Sequence, residues 1–560
     1  MFENPELAFS SRRSPVLGKR GMLAASQPLA VAAGLEILAQ GGNAADAAVA
    51  TAAALNVTEP TSTGIGGDCF ALYYDSSTRC ISALNGSGRA PATLSLERLQ
   101  REGYSGELPQ FHPYTITVPG ACAGWCDLLT NHGRLPLGDV LAPAIRLAED
   151  GFPVAPVTAH FWQRAAEKQL KQAPGGQELT INGRGPVPGE IFRNPGLART
   201  LRTIVEDGKE AFYQGLIAKA IVSVIQQSGG CMTLEDLANH HSTWEQPIHV
   251  SYRGFQVWEC PPNGQGLAAL LGLNILEGFD LEDLEPLSPE RLHLEIEAMR
   301  LAFADARYYV ADPAYHPAPL EWLLSKEYAA ERRKLIHPQK ASLDQKHGIP
   351  ATASDTVYFS VVDGQGNACS FINSNYMGFG TGIVPRGWGF SLQNRGHNFS
   401  LEPGHPNALA PGKRPYHTII PAMITQPAGF EANNIQADSQ LSAPAGELFA
   451  SFGVMGGFMQ PQGHLQVAVA LLNDKLDPQA ALDQPRFCIE DGAAGGRVAL
   501  EEGIPAGTIA RLEEMGHPVA RVSGHERALF GRGQIILRDS ERGVLWGGSD
   551  PRADGCAMSL

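Results

Sequence analysis

Thr356 opens the run Thr356-Val-Tyr-Phe-Ser-Val-Val-Asp363, and Gly378-Phe-Gly-Thr-Gly382 follows shortly after it. A threonine hydroxyl is a poor nucleophile unless a base stands beside it. At a chain's amino terminus it carries its own: an α-amine, with an ordinary pKa of about 7.7–8.0, can take the hydroxyl proton near physiological pH. The amine must be free, so the Asp355–Thr356 bond has to break first. The expected route is attack by the Thr356 hydroxyl on the Asp355 carbonyl, an ester intermediate, and hydrolysis. Gly456 and Gly457, in Phe452-Gly-Val-Met-Gly-Gly-Phe458, could present backbone N–H groups to the oxyanion that acyl transfer generates. Ser374 could hydrogen-bond the nucleophile. Threonine opens many strands, and a glycine pair also marks a bulge or a tight turn, so neither signal carries the chemistry by itself.

These residues need a frame that brings them together. Val357 to Val362, where β-branched and aromatic residues begin, and Asn367 to Ser374 flank the turn Asp363-Gly-Gln-Gly366, a hairpin that returns Ser374 to the side of Thr356. Residues 334–355 are polar, contain proline and show weak patterning. They read as an exposed linker that lets two new chain ends separate. Upstream, residues 20–57 read as two helices joined by a glycine turn. Pro28 suits a first turn, Gly41-Gly42 a stop, and the alanine-rich stretch Ala44 to Val57, without Lys or Arg, a buried helix. Glu59-Pro-Thr-Ser-Thr-Gly-Ile-Gly-Gly67 is a loop of small residues before a strand, Cys69 to Tyr74. Residues 120–240 read as mostly helical, with breaks near 174–188, and 248–258 as a hairpin or strand. A helix follows the cap Ser288-Pro289, with Leu292, Ile296, Met299 and Phe303 on one face.

Bulk properties narrow the function. A chain of 560 residues exceeds the usual size of one core, and 43% hydrophobic residues suffice for packed interiors. A net charge of −15 argues against nucleic acid or an anionic membrane as partner. No apolar span reaches about 20 residues, and the first residues lack a basic-then-apolar leader, so a cytoplasmic protein is expected. The nine cysteines are scattered, with only Cys122 and Cys126 close, and read as reduced thiols rather than metal ligands. Gly378 to Gly382 is followed by Ile383-Val-Pro385, not by the Lys-Ser/Thr of a phosphate loop. No His-Glu-x-x-His pattern occurs among the sixteen histidines. No metal or cofactor is expected.

Taken together, Gly41-Gly-Asn-Ala-Ala-Asp-Ala-Ala48, Thr63 to Gly67, Val118-Pro-Gly120, Pro143 to Gly151, Tyr252-Arg-Gly254, Gly264-Gln-Gly266, Thr356 to Asp363, Gly380-Thr-Gly382, Lys413-Arg-Pro415, Gly456-Gly457 and Ser549-Asp-Pro-Arg552 resemble, in this order, the γ-glutamyltransferase (glutathione hydrolase) family. The resemblance covers roughly residues 20–555. It implies an α+β fold, the αββα four-layer sandwich of Ntn-hydrolases, built from two subunits of one autocleaved precursor: residues 1–355 and 356–560. It implies Thr356 as nucleophile, Ser374 as its supporting hydroxyl, and Gly456 and Gly457 as the oxyanion hole. Partners are then a small-molecule amide and the two subunits themselves, with a dimer of such heterodimers as a further expectation.

The substrate shell departs from the family pattern. The arginine that grips a glutamyl carboxylate is displaced to Arg89 in Asn85-Gly-Ser-Gly-Arg-Ala-Pro91. In Gln393-Asn-Arg-Gly-His-Asn398, Arg395 replaces a glutamine and neutral Asn398 the aspartate that holds an α-ammonium. The paired serines become His417 and Thr418, and the lid from Asn398 to Lys413 is short; Asn375 and Tyr376 complete the expected shell. Arg395 would repel an α-ammonium and suit a carboxylate. The readings in play are glutathione hydrolysis, hydrolysis of short-acid amides as in cephalosporin acylases or oxamate amidohydrolases, and an uncleaved, inactive binding protein of the same fold.

Overall fold

The structure, a computed structural model, describes residues 13–344, 357–427 and 441–560. Two antiparallel sheets lie face to face at its centre. The first contains β1 (Gly21–Ala25), β2 (Asp68–Asp75), β3 (Val357–Asp363) and β4 (Ala368–Ser374), side by side in the order β2, β4, β3, β1. Cys80–Gly86 and Ser442–Pro444 extend it beyond β2, and Cys556–Ser559 beyond β1. The second sheet has β5 (Glu447–Met455) at its middle, between Ala422–Gln426 and Arg532–Asp539.

The sheets meet through small and aromatic residues. Ser360 Oγ on β3 donates to Ser451 Oγ on β5 at 2.5 Å. Gly453 admits the Tyr358 ring, which a Cβ at that position would approach to 2.6 Å. Every residue of β3 and β4 is buried; β3 reads as a β-branched and aromatic run, whereas β4 sets Phe371 and Ile372 among small and polar residues. Phe359 stacks on Phe371, its register partner, at 5.1 Å between ring centroids.

Helices close both outer faces. Pro28–Ala39 and α1 (Ala44–Thr58) cover the first sheet; Gly266–Leu276 and α3 (Met459–Leu472) cover the second, with α2 (Pro289–Tyr309) packed on Gly266–Leu276. The order helix, sheet, sheet, helix is the four-layer αββα arrangement. All of α1 is buried, so alanine supplies volume without bulk, and Thr51, Asn56 and Thr58 bond back to carbonyls four residues earlier. Asn43 caps it by accepting from the Ala45 and Asp46 amides, and Asp46 returns the bond to the Asn43 amide.

Two expectations need correction. Within 20–57, the segment Gly21–Ala25 is a strand, β1, held between β3 and Cys556–Ser559. Its small apolar residues have no β-branched signature, and sheet pairing decides their conformation. Helix α2 is buried on its polar side as well as its apolar one. Arg291 pairs with Glu295 at 3.2 Å and Asp474 at 2.8 Å, and Arg300 stands 3.4 Å from Glu297. Of the expected linker, residues 334–344 are largely exposed, though Ile336 is buried and Ser342 donates its amide to Glu297. Residues 345–355 lie outside the described residues. Among the described residues, no helix is long and apolar enough to cross a membrane.

Candidate active site

Strand β3 begins at Val357, one peptide bond after Thr356. Thr356 and Asp355 themselves lie outside the described residues. Val357 pairs with Asn373, and Ser374 pairs with Asp68 on β2, so the start of β3, Ser374 and Asp68 share one edge of the first sheet.

The small-residue loop of 59–67 lets the backbone approach here. A Cβ on Gly67 would stand 2.2 Å from the Ser374 carbonyl oxygen, and one on Gly66 2.1 Å from the Ser391 carbonyl oxygen. Asn375 packs against Gly64 and Gly67 and donates to Ser391 Oγ at 3.3 Å. Tyr376 holds φ +81°, a region that a bulky side chain adopts only under constraint. That turn points its amide back at Ser374 Oγ, 2.8 Å away.

A chain of hydrogen bonds joins most of the expected site residues. Arg395 Nη2 donates to Ser374 Oγ at 3.1 Å and Nη1 to Thr418 Oγ1 at 2.6 Å. Its Cζ lies 4.4 Å from the centroid of the Tyr376 ring. The Tyr376 hydroxyl donates to Asn398 Oδ1 at 2.5 Å. Gln265 closes the other end: Nε2 donates to the Thr418 carbonyl at 2.6 Å and the Gly457 carbonyl at 2.8 Å. Gly456 and Gly457 link β5 to α3 with φ +131° and +60°, conformations that favour glycine. Neither amide has a hydrogen-bond acceptor among the described residues.

Asp68 lies beneath this chain, fully buried. It accepts from the Gly88 and Gly120 amides at 3.0 and 3.1 Å, from Gln393 Nε2 at 2.9 Å and from His417 Nε2 at 3.0 Å. Burial would raise its pKa, but the His417 hydrogen bond, with the Arg395 charge and Gln393, outweighs burial and holds it below the usual carboxylate range. Burial first, then the Arg395 charge, pushes His417 down to about 3, so the ring is a neutral donor to Asp68. Burial likewise lowers Arg395 to about 10, with Asp68 opposing the shift, and the guanidinium stays charged at neutral pH.

Three placements differ from expectation. Arg395 is fully buried; both Nη groups donate to hydroxyl oxygens, of Ser374 and Thr418, while its Nε has no partner among the described residues. Arg89 stands apart from this chain of hydrogen bonds; among the described residues its hydrogen bond is to the His241 carbonyl, at 3.5 Å. Asn398 uses Oδ1 on Tyr376, and its Nδ2 has no partner among the described residues. The sequence analysis missed Asp68, Gln265 and Arg307. Gln265 lay within a quoted motif, Gly264-Gln-Gly266, but the oxygens it bridges are distant in sequence.

Two cavities adjoin the site. One, of about 630 Å3, is lined by Asn398, Tyr416 and Arg307 under the 399–407 loop. That loop is pinned by Lys413 Nζ, which donates to the Pro406 and Ala408 carbonyls at 2.6 and 2.9 Å. The other, of about 390 Å3, reaches Gly456 past Met377 and Gly378. Away from the site, His293, Glu297 and His517 bring ligating atoms within 4.8 Å of one another. They form an internal relay instead: His293 bonds His517 and the His337 carbonyl, each at 2.8 Å, and Arg300 stands beside Glu297.

The sequence model described as gamma-glutamyltranspeptidase matches residues 30–560. The chain is 37% identical to a glutathione hydrolase-like YwrD proenzyme of Bacillus subtilis, over 97% of this chain and 99% of that one. It is 33% identical to an oxamate amidohydrolase proenzyme of Klebsiella pneumoniae, over 96% and 98% of the two chains. A crystal structure of a cephalosporin acylase from Bacillus halodurans superposes with a TM-score of 0.90 at 46% identity, covering 100% of this chain and 99% of that one.

Proposed function

Because the chain belongs to the gamma-glutamyltranspeptidase family of Ntn-hydrolases, we propose that it cuts itself between Asp355 and Thr356 and then hydrolyses amides through an acyl-enzyme on Thr356. The observation that carries this reading is the meeting of Ser374 and the start of β3 at one sheet edge, joined through Arg395, Thr418 and Gln265 to the unclaimed amides of Gly456 and Gly457. The free α-amine of Thr356 takes its hydroxyl proton, and the oxygen attacks the substrate carbonyl. The Gly456 and Gly457 amides receive the oxyanion. The C–N bond breaks, and the amine leaves with the proton held by the α-amine. Water, or an acceptor amine, attacks the ester and restores Thr356.

The acyl group is that of a small acid without an α-ammonium. Asn398 is neutral, and Asp68 is saturated by four donors, so neither offers an ammonium its charge partner. The named activities of the acylase and oxamate amidohydrolase relatives are in keeping with this choice. The products of cleavage are a large subunit 1–355 and a small subunit 356–560, held together as one heterodimer, with a dimer of such heterodimers as the proposed assembly. All nine cysteines are free thiols, which supports a reducing, cytoplasmic setting.

A denaturing gel with intact mass measurement tests the reading. Wild type should give two chains split at 355/356. Thr356→Ala should stay one chain without amidase activity, since no hydroxyl remains for either step. Two chains with that split in Thr356→Ala would overturn the intramolecular mechanism.

A further inference from the structure

The last turn of α2 sets Arg307 at the floor of the 630 Å3 cavity. Its Nε donates to the Gly492 carbonyl at 3.2 Å and its Nη2 to the Asp491 carbonyl. Its Cζ lies 3.5 Å from the centroid of the Phe458 ring. Nη1 has no hydrogen bond to any described residue. The other buried arginines of this helix, Arg291 and Arg300, stand against carboxylates. Arg307 forms no ion pair among the described residues; the nearby Asp491 carboxylate is turned to the Ala493 amide, 3.0 Å away. A cation–π contact offsets only part of the cost of taking a guanidinium out of water. The arrangement therefore lacks an anion.

Its surroundings say which anion fits. Phe458 directly follows Gly457, so the guanidinium is stacked on the residue next to the oxyanion amides. Tyr416 and Asn398 line the same cavity, and Asn398 carries the unpartnered Nδ2. Glu107 and Glu402 are exposed at the mouth, where water screens them, while Arg307 is only 8% exposed. An acidic rim over a single buried cation suits a singly charged carboxylate better than a doubly charged phosphate.

We propose that Arg307 selects the acyl group: the preferred substrates are monoamides of dicarboxylic acids, with the reacting carbonyl at Gly456–Gly457 and the distal carboxylate on Arg307. This rests on the amidase reading above and adds the specificity-determining residue to it. Arg395, whose Nη groups hold Ser374 and Thr418, is then a positioning residue.

The test compares kcat/KM for succinyl-, glutaryl-, adipoyl- and pentanoyl-p-nitroanilide with wild type, Arg307→Gln and Arg307→Lys. Wild type should prefer its best dicarboxylic anilide over the pentanoyl one by about ten- to a hundredfold. In Arg307→Gln that ratio should fall to near one, and Arg307→Lys should keep part of it. Self-cleavage into two chains reports that each variant has folded. Should neither variant fold, inhibition of wild type by free glutarate against pentanoate gives the same comparison, with glutarate expected to bind at least tenfold more tightly. A wild type that hydrolyses pentanoyl and dicarboxylic anilides alike, a ratio unchanged in Arg307→Gln, or equal inhibition by the two acids would overturn the assignment while leaving the amidase reading intact. A wild type that is cleaved by itself at no bond and hydrolyses no anilide would overturn both.

Discussion

Arg395 holds Ser374: its Nη2 stands 3.1 Å from the serine oxygen while Nη1 holds Thr418 Oγ1 at 2.6 Å. One rigid guanidinium thereby fixes two hydroxyls that come from different loops. Arg395→Ala leaves both without their charged donor. With a charge-assisted hydrogen bond contributing about 1.5–3 kcal/mol, activity should fall roughly ten- to more than a hundredfold. The loss should be similar for every acyl group, charged or neutral. Parallel kcat/KM measurements on glutaryl and pentanoyl anilides check this; a loss confined to glutaryl would return carboxylate binding to Arg395.

In the proposed reading Ser374 supports the nucleophile and touches no remote part of the substrate. Ser374→Ala should therefore lower kcat with little change in KM. Steady-state kinetics decide it, and a raised KM at unchanged kcat would move Ser374 into the substrate shell.

Gly67 leaves no room for a side chain beside Ser374, since its Cβ would sit 2.2 Å from the serine carbonyl and 2.7 Å from Asn375 Oδ1. Gly67→Ala should destabilise the fold by about 1–3 kcal/mol, as overpacking does. It should also slow self-cleavage by shifting Ser374. Thermal unfolding and a cleavage time course measure the two effects; an unaltered time course would show that the 59–67 loop does not set the serine's position.

His417 gives the fold a pH dependence of defined sign. Burial, reinforced by the Arg395 charge, pushes its pKa down to about 3 in the folded chain, against about 6.5 when unfolded. Below pH 6.5 the unfolded chain takes up a proton that the folded ring refuses. Its contribution is thus full above 6.5 and is lost as pH falls toward 3. His417→Gln can keep an N–H for Asp68 but cannot titrate. Between pH 6.5 and 4 the variant should lose stability less steeply than wild type, by up to about 1.4 kcal/mol per pH unit. Denaturant unfolding across that range checks it, and equal slopes would mean that His417 is charged in the folded protein.

What could be read from the chain depended on how local the determinant was. Strand β3 announces itself by its buried β-branched and aromatic residues, and β4 by the turn that pairs it with β3. The turn between them is set nearby, Asp363 Oδ1 accepting from the Gln365 and Asn367 amides at 2.9 and 3.0 Å. Ser374 and the glycine pair lie in contiguous motifs, and the structure brings them into one chain of hydrogen bonds through Arg395, Thr418 and Gln265. Strand β1 was not, because Met22-Leu23-Ala24-Ala25 gains its conformation from β3 and Cys556–Ser559. Asp68 looked like the edge of an ordinary strand; only the fold delivers Gln393 and His417 to it. Arg307 looked like one more charge on an amphipathic helix, until burial on every side of α2 removed the solvent that such a charge would need.

The first sheet draws its strands from both sides of residue 355, interleaved along its width. Along it, β2 and β1 precede that point and β4, β3 and Cys556–Ser559 follow it, with β3 hydrogen-bonded directly to β1. A cut there frees two chain ends but leaves two interwoven polypeptides, and neither half owns a contiguous sheet. Their separation is a global unfolding event rather than a dissociation, so dilution has no hold on it. On the proposed cleavage the order of events follows: the uncut chain must fold first, and the cut comes after the shape it cuts.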